Sequence, residues 1–183
     1  MMSSFQTIRR LALLAAMMAV LPLSAPARAQ TTNSIGKSES GLALPRYVSL
    51  KSGRVNLRSG PGRDYSVDWM YLKPGLPMEI IQEYDTWRRV RDSEGTEGWV
   101  SQSLLSGKRT GIAAPWQKGK PALVSLYGEA DEKSPLVASV EPGAVGLVKS
   151  CNGGWCQISF DGHEGWMLQE QVWGVYPDET ISD

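Results

Sequence analysis

The sequence predicts an all-β protein: two small β-barrels in tandem behind a signal peptide and a disordered tether. Three observations predict it. Short runs of alternating apolar and polar residues recur along the chain, as in Val55-Asn56-Leu57-Arg58, and this period of two marks half-buried strands. Turn signals separate the runs, drawn from 19 glycines and 11 prolines. The second half then repeats the first at a spacing of about 68 residues, which is long for a solenoid unit and suits two domains.

Residues 1–29 read as a signal peptide. Arg9-Arg10 forms a basic start, and Leu11 to Leu21 is an uncharged apolar run of about 11 residues, well short of the ~20 that a spanning helix needs. Ala27-Arg28-Ala29 has the small-x-small form of a cleavage site, so the mature chain is expected to start at Gln30 with no transmembrane segment left. Ile8 stands where the twin-arginine signal favours Ser or Thr, which points to ordinary Sec export. No Cys follows the cleavage site, which argues against a lipid anchor. The expected location is therefore periplasmic or secreted. Residues 30–45 are rich in Ser, Thr and Gly without periodicity and read as a disordered tether.

The first barrel is expected over residues 46–107. Arg54-Val55-Asn56-Leu57-Arg58 is a strand stopped by Ser59-Gly60-Pro61-Gly62, where Pro61 fixes φ and the glycines allow a sharp reversal. Val67 to Leu72, Met78 to Tyr84, Trp87 to Arg91 and Gly98-Trp99-Val100 follow as strands. Lys73-Pro74-Gly75, Asp85-Thr86 and Asp92-Ser93-Glu94-Gly95 turn between them. A helical turn at Ser101 to Leu105 carries Leu104 and Leu105 inward. Residues 108–120 read as a basic linker in which Trp116 has no evident role.

The second barrel is expected over residues 121–176, with 177–183 as a C-terminal tail. Val124-Ser125-Leu126-Tyr127 repeats Val55 to Arg58, Glu141-Pro142-Gly143 repeats Lys73-Pro74-Gly75, Trp155 repeats Trp87, and Gly165-Trp166-Met167 repeats Gly98-Trp99-Val100. Gly128 to Glu132 replaces the Ser-Gly-Pro-Gly loop. Asn152-Gly153 and Asp161-Gly162 are favoured dipeptides for tight hairpins.

The Arg-Ser-Gly-Pro-Gly loop, followed at this spacing by Trp87 and then Gly98-Trp99-Val100, resembles the bacterial SH3-like (SH3b) family. The resemblance covers Tyr47 to Leu105 strongly and Pro121 to Trp173 less so. It implies a non-catalytic exported binding protein for cell-envelope components such as peptidoglycan. The alternative is a structural or adaptor protein that binds another envelope protein. The partner implied is thus a cell-wall glycan or stem peptide, or an envelope protein, and no cofactor is called for. In SH3 domains a Trp at the position of Trp87 faces the ligand groove, with an aromatic at the position of Trp99 nearby. Strand alternation places Trp87 and Arg89 opposite the core residue Val90, so Trp87, Trp99, Arg58 and Arg89 are the candidate binding residues. Packing of both rings against loops is the other reading, and the residues leave the two open. The acidic loop and paired tyrosines of proline-reading SH3 domains have no match.

Charge and cysteines complete the picture. Net charge is zero, which gives nucleic acid no bulk attraction, but it is unevenly spread. Arg46 to Gly111 holds 11 basic and 8 acidic residues, and Pro121 to Asp183 holds 2 basic and 10 acidic. The first module meets an acidic partner, the two halves attract each other, or the charges form solvated surface. Cys151 and Cys156 are the only cysteines, and an oxidising compartment permits a disulfide. The repeat alignment puts Glu83 and Arg88 where the second copy has Cys151 and Cys156, so one hairpin register should hold an ion pair in one copy and a disulfide in the other. With His163 the cysteines make three potential ligands, one short of a closed zinc site, so neither a metal nor a thiol enzyme is expected.

Overall fold

The computed structural model describes residues 38–182. The signal-peptide expectation for residues 1–29, and the tether expectation as far as residue 37, lie outside the described residues. The rest is all-β. Strands β1 (Arg46–Leu50), β2 (Val55–Arg58), β3 (Val67–Tyr71), β4 (Pro77–Tyr84), β5 (Trp87–Arg91), β6 (Glu97–Ser101) and β7 (Leu105–Ser106) form one sheet in the order β3-β2-β6-β5-β4-β1-β7. Alternation decides which side chains go inside. On β2, Val55 and Leu57 are buried while Asn56 and Arg58 are half-exposed. On β5, Arg88 and Val90 are buried while Trp87, Arg89 and Arg91 are not. Val55, Leu57, Ile80, Val90 and Val100 meet in a core of their own.

A second sheet repeats this one with β8 (Thr110–Ala113), β9 (Val124–Tyr127), β10 (Leu136–Val140), β11 (Val145–Asn152), β12 (Trp155–Phe160), β13 (His163–Leu168) and β14 (Val172–Trp173), in the order β10-β9-β13-β12-β11-β8-β14. Its core, around Leu126, Val148, Ile158 and Met167, is separate from the first. The glycine of each Gly-Trp segment is there for close approach. A Cβ on Gly98 would sit 2.5 Å from Leu57 Cγ, and one on Gly165 would sit 2.6 Å from the Tyr127 carbonyl oxygen, so β6 and β13 can cross β2 and β9 only without a side chain.

Three stretches differ from the sequence-based expectation. Residues 108–120 are not a plain linker, because Thr110–Ala113 is β8, inserted between β11 and β14 with all four residues buried. A strand buried on both faces shows no alternation, and its small residues are a packing need: a Cβ on Gly111 would lie 2.5 Å from Val172 Cγ1. Trp116 follows in a 3-10 turn, Pro115–Gln117, and is 53 % exposed. The tail, as far as residue 182, folds back, with Ile181 N–H donating to the Cys151 carbonyl and Cys151 N–H to that of Ile181, each at 2.9 Å. At the other end of the chain, within the tether, Ser40 donates to the Glu83 carboxylate through its N–H (2.9 Å) and its Oγ–H (2.8 Å).

The two barrels meet along an aromatic seam. Tyr47 of β1 packs edge-on against Trp173 of β14 (centroids 5.2 Å apart) and at a tilt against Tyr176 (4.7 Å). The Tyr176 hydroxyl donates to Glu79 Oε1 of β4 at 3.0 Å, and Arg91 Nε donates to Glu79 Oε2, so a buried carboxylate is shared by both modules. Arg109 lies over the Tyr47 ring and donates to both oxygens of Glu179 and to the Gly174 carbonyl. Burial and the Glu79 charge push the Tyr47 hydroxyl up to about 12. Among the described residues, the basic and acidic stretches are joined by the half-buried Arg109–Glu179 pair at 2.7 Å, while the exposed Lys118–Glu94 pair at 3.6 Å contributes little.

Candidate binding grooves

The four candidate residues of the first module sit on neighbouring strands. Arg58 of β2 is paired with Trp99 of β6, and Trp99 with Arg89 of β5, which puts these three in one row. Trp87 of β5 pairs with Ser101 of β6 in the next. Trp87 and Trp99 are half-buried and neither belongs to the core cluster. Val100, between Trp99 and Ser101, is fully buried, as alternation requires.

A groove of about 240 Å³ opens beside Trp87. Arg54, Asn56 and Arg58 of the β2 side, Arg63 of the following loop, and Ser101 line it with that ring. Trp99 and Arg89 are neighbours of this groove in the sheet but do not line it. Arg89 is turned to Glu97, 3.0 Å away. Arg58 has a second task, because its Nη1 donates to the carbonyls of Arg63 (2.9 Å) and Tyr65 (2.6 Å) and so holds the Ser-Gly-Pro-Gly loop against the barrel. The Tyr65 ring lies so close over Gly60 that a Cβ there would fall 2.2 Å from it. Arg54 and Arg63 are the charged residues of the groove that sequence reasoning left out. Arg54 was legible, since alternation puts it on one face with Asn56 and Arg58. Arg63 reaches the groove only through the course of the loop.

The equivalent surface of the second module has a different character. Tyr127 replaces Arg58 and pairs with Trp166, which replaces Trp99. Trp155, in place of Trp87, packs edge-on against Tyr127 with centroids 5.7 Å apart. Gln157, Leu168 and Glu170 stand where the first module has Arg89, Ser101 and Ser103. A wider cleft of about 540 Å³ lies beside Trp155.

Cys151 and Cys156 are directly opposed in the β11–β12 ladder and joined in a disulfide, with Cα atoms 4.1 Å apart and no exposure of either residue. Glu83 and Arg88 hold the same register in β4–β5, with Arg88 Nε 3.1 Å from Glu83 Oε1. Burial alone would raise the Glu83 carboxyl. Hydrogen bonds from Ser40 and Arg46 and the charge of Arg46 outweigh it and hold the group down at about 2. His163 is exposed at the start of β13, opposite Phe160. Among the described residues no group of three His, Cys, Asp or Glu side chains is placed to hold a metal ion.

The bacterial SH3 domain family matches residues 51–107 and again residues 120–174, more than half of the chain. The chain belongs to this family. Its two SH3b domains correspond to the two sheets. Over 129 residues the chain is 25 % identical to a Bacillus subtilis (strain 168) protein, YrvJ, whose name is that of a candidate N-acetylmuramoyl-L-alanine amidase. The match covers 67 % of this chain and 24 % of that protein, so the chain spans about a quarter of the curated relative. Among solved structures, NlpC2 from Trichomonas vaginalis is 13 % identical, with 70 % of this chain and 48 % of that one covered at a TM-score of 0.31. An NlpC/P60 family protein from Bacillus cereus ATCC 10987 is 11 % identical, with 70 % and 56 % covered at the same TM-score. Likeness that loose transfers neither arrangement nor activity.

Proposed function

We propose that the chain is a non-catalytic binding protein of the bacterial cell envelope, periplasmic or secreted, that recognises peptidoglycan through the first SH3b domain. The observation that carries this reading is the Trp87 groove, in which a half-buried aromatic ring outside the core faces Arg54, Arg58 and Arg63. An aromatic face suits a sugar ring or a peptide plane, and guanidinium groups hold carboxylates bidentately, so a stem peptide with a free carboxylate has both features that the groove reads. Trp99 and Arg89 extend the same surface on its far side. Membership of the SH3b family and the amidase name of the relative support a wall ligand, and the disulfide suits an oxidising compartment.

Binding of the full chain to purified sacculi tests the reading. Trp87→Ala should weaken binding by about 2 kcal/mol or more while the domain melts within about 1 kcal/mol of the parent. A well-folded variant with unaltered binding would end the assignment of Trp87, and a parent that ignores sacculi would end the peptidoglycan reading.

A protein partner is the second reading, and β3 favours it. Val67, Trp69, Met70 and, just beyond the strand, Leu72 are all exposed on an edge strand, where a second chain can add its own strand. Met70→Lys should leave sacculus binding unchanged if this edge serves a separate partner.

A further inference from the structure

We propose that the chain associates with copies of itself by pairing β3 of one copy with β10 of another. The inference rests on the reading of β3 as an edge for a second chain, and it names that chain. β3 and β10 are the end strands of the two sheets, so each leaves a row of backbone N–H and C=O groups without a strand partner. The two edges are not paired with each other within the chain, and both stay exposed, so a strand that covers either comes from another molecule. Val67, Trp69, Met70 and Leu72 are exposed along the first edge, and Leu136 and Val137 along the second. Neither strand contains a Lys or a Pro, the residues that commonly blunt such edges, and Asp68 is the one charge in the two.

Charge selects the occupant. The stretch Glu129 to Glu141 around β10 holds four acidic residues and one basic, Lys133, while Arg63 to Lys73 around β3 holds two of each. Arg63 and Lys73 on one side, and Glu132 and Glu141 on the other, are exposed and have no ion-pair partner among the described residues. The stretches behind them, Arg46 to Gly111 and Pro121 to Asp183, hold 11 basic to 8 acidic and 2 basic to 10 acidic residues. Two β10 edges therefore repel each other, and the β3 domain attracts the β10 domain. In either strand direction the pairing brings the bases at the two ends of β3 beside acids, because Glu132 and Glu141 flank β10 at its two ends.

Side-chain size points the same way. Trp69 and Met70 pair with Leu57 and Asn56 of β2, and the equivalent residues of β10, which pair with Leu126 and Ser125 of β9, are Ala138 and Ser139. Bulky side chains on one edge thus meet small ones on the other. Two β3 edges would instead crowd Trp69 and Met70 against their own copies and bring a second Asp68 to the strip. A contact between two different patches closes into a ring or runs on as an open series.

The test is sedimentation velocity of the exported chain and two variants over about a hundredfold range of concentration. Met70→Lys blocks the β3 edge and Val137→Lys blocks the β10 edge. Both positions are exposed, so each variant should melt with the parent; Leu72→Lys and Leu136→Lys, at exposed positions on the same edges, replace either one that does not. The parent should sediment faster as its concentration rises and slower as salt is added. Each variant alone should stay monomeric. Their equimolar mixture should form dimers and nothing larger, because each pair then has one intact β3 and one intact β10. A parent that stays monomeric would overturn self-pairing and leave β3 open to a strand of another protein. A mixture that stays monomeric would overturn it too. Dimers of Val137→Lys alone would show β3 pairing with β3, which overturns the role of β10 and keeps β3 as an interaction edge. Association of Met70→Lys to the same extent as the parent would take β3 out of the contact and overturn both the proposal and the reading it rests on.

Discussion

Position for position, the two domains solve one structural problem with different chemistry. Near the end of the β4–β5 hairpin, Glu83 and Arg88 face each other as a buried ion pair, and at the same register of β11–β12 the pair is Cys151–Cys156. Each link also holds a segment that flanks its barrel: Ser40 bonds to the Glu83 carboxylate, and Ile181 bridges to the Cys151 backbone. The fold thus specifies a cross-strand tie at this place and leaves its kind free. The difference decides what can undo it. An ion pair fails when its carboxylate takes up a proton, and a disulfide fails only on reduction.

The comparison can be broken at four points. The largest effect is expected from Glu83→Gln, which leaves the buried Arg88 guanidinium without its counter-charge and should cost about 3–5 kcal/mol, read by urea denaturation. Reduction of the disulfide should cost the second domain about 2 kcal/mol, because the loop it closes is short. A loss as large as that of Glu83→Gln would show that the two ties are not equivalent. Acid should discriminate between them. The folded Glu83 carboxyl is held at about 2 against an ordinary 4.5, so its contribution is full above pH 4.5 and is lost as the pH falls from 4.5 through 2. Glu179 adds to the same loss: burial would raise it, but hydrogen bonds from Arg109 and the Tyr176 N–H and the charge of Arg109 hold it low. Acid titration of Glu83→Gln should therefore show a shallower slope in that window than the parent, and an identical slope would remove Glu83 from the account. The smallest effect is expected from Tyr176→Phe, which removes one hydrogen bond to Glu79 across the seam and should lower stability by about 1 kcal/mol by calorimetry.

Local patterning carried much of this into the sequence. Alternation along Trp87 to Arg91 was enough to send Val90 inward and Trp87 outward, and the repeat was enough to place Glu83, Arg88, Cys151 and Cys156 in one register. The Asp161-Gly162 hairpin turn also follows from its residues, since both adopt positive φ as expected. At the other hairpin the turn lies one residue later than Asn152-Gly153 suggests: Asn152 pairs with Trp155, and Gly153 and Gly154 take the positive φ. What local pattern could not reveal is whatever depends on neighbours distant in the chain. Thr110–Ala113 looks like linker because its small residues answer to Val172 and β11 rather than to a period of their own. Arg63 enters the groove by way of a loop, and the cleft beside Trp155 joins Glu132 to Glu170 and Asp178 across a gap that no motif spans.

The seam of Tyr47, Trp173 and Tyr176 has a consequence for affinity. Two sites tethered by a flexible chain sample many separations, and the local concentration of the second is diluted accordingly. Here the domains are fastened by edge-on and tilted ring contacts and a shared buried carboxylate, so the distance between the two grooves is set by packing. A polymer that repeats its charged groups at that distance would gain avidity from double engagement, and one with a different repeat would gain none. A protein that binds through both grooves would then select for spacing as well as for chemistry, in the manner of a caliper.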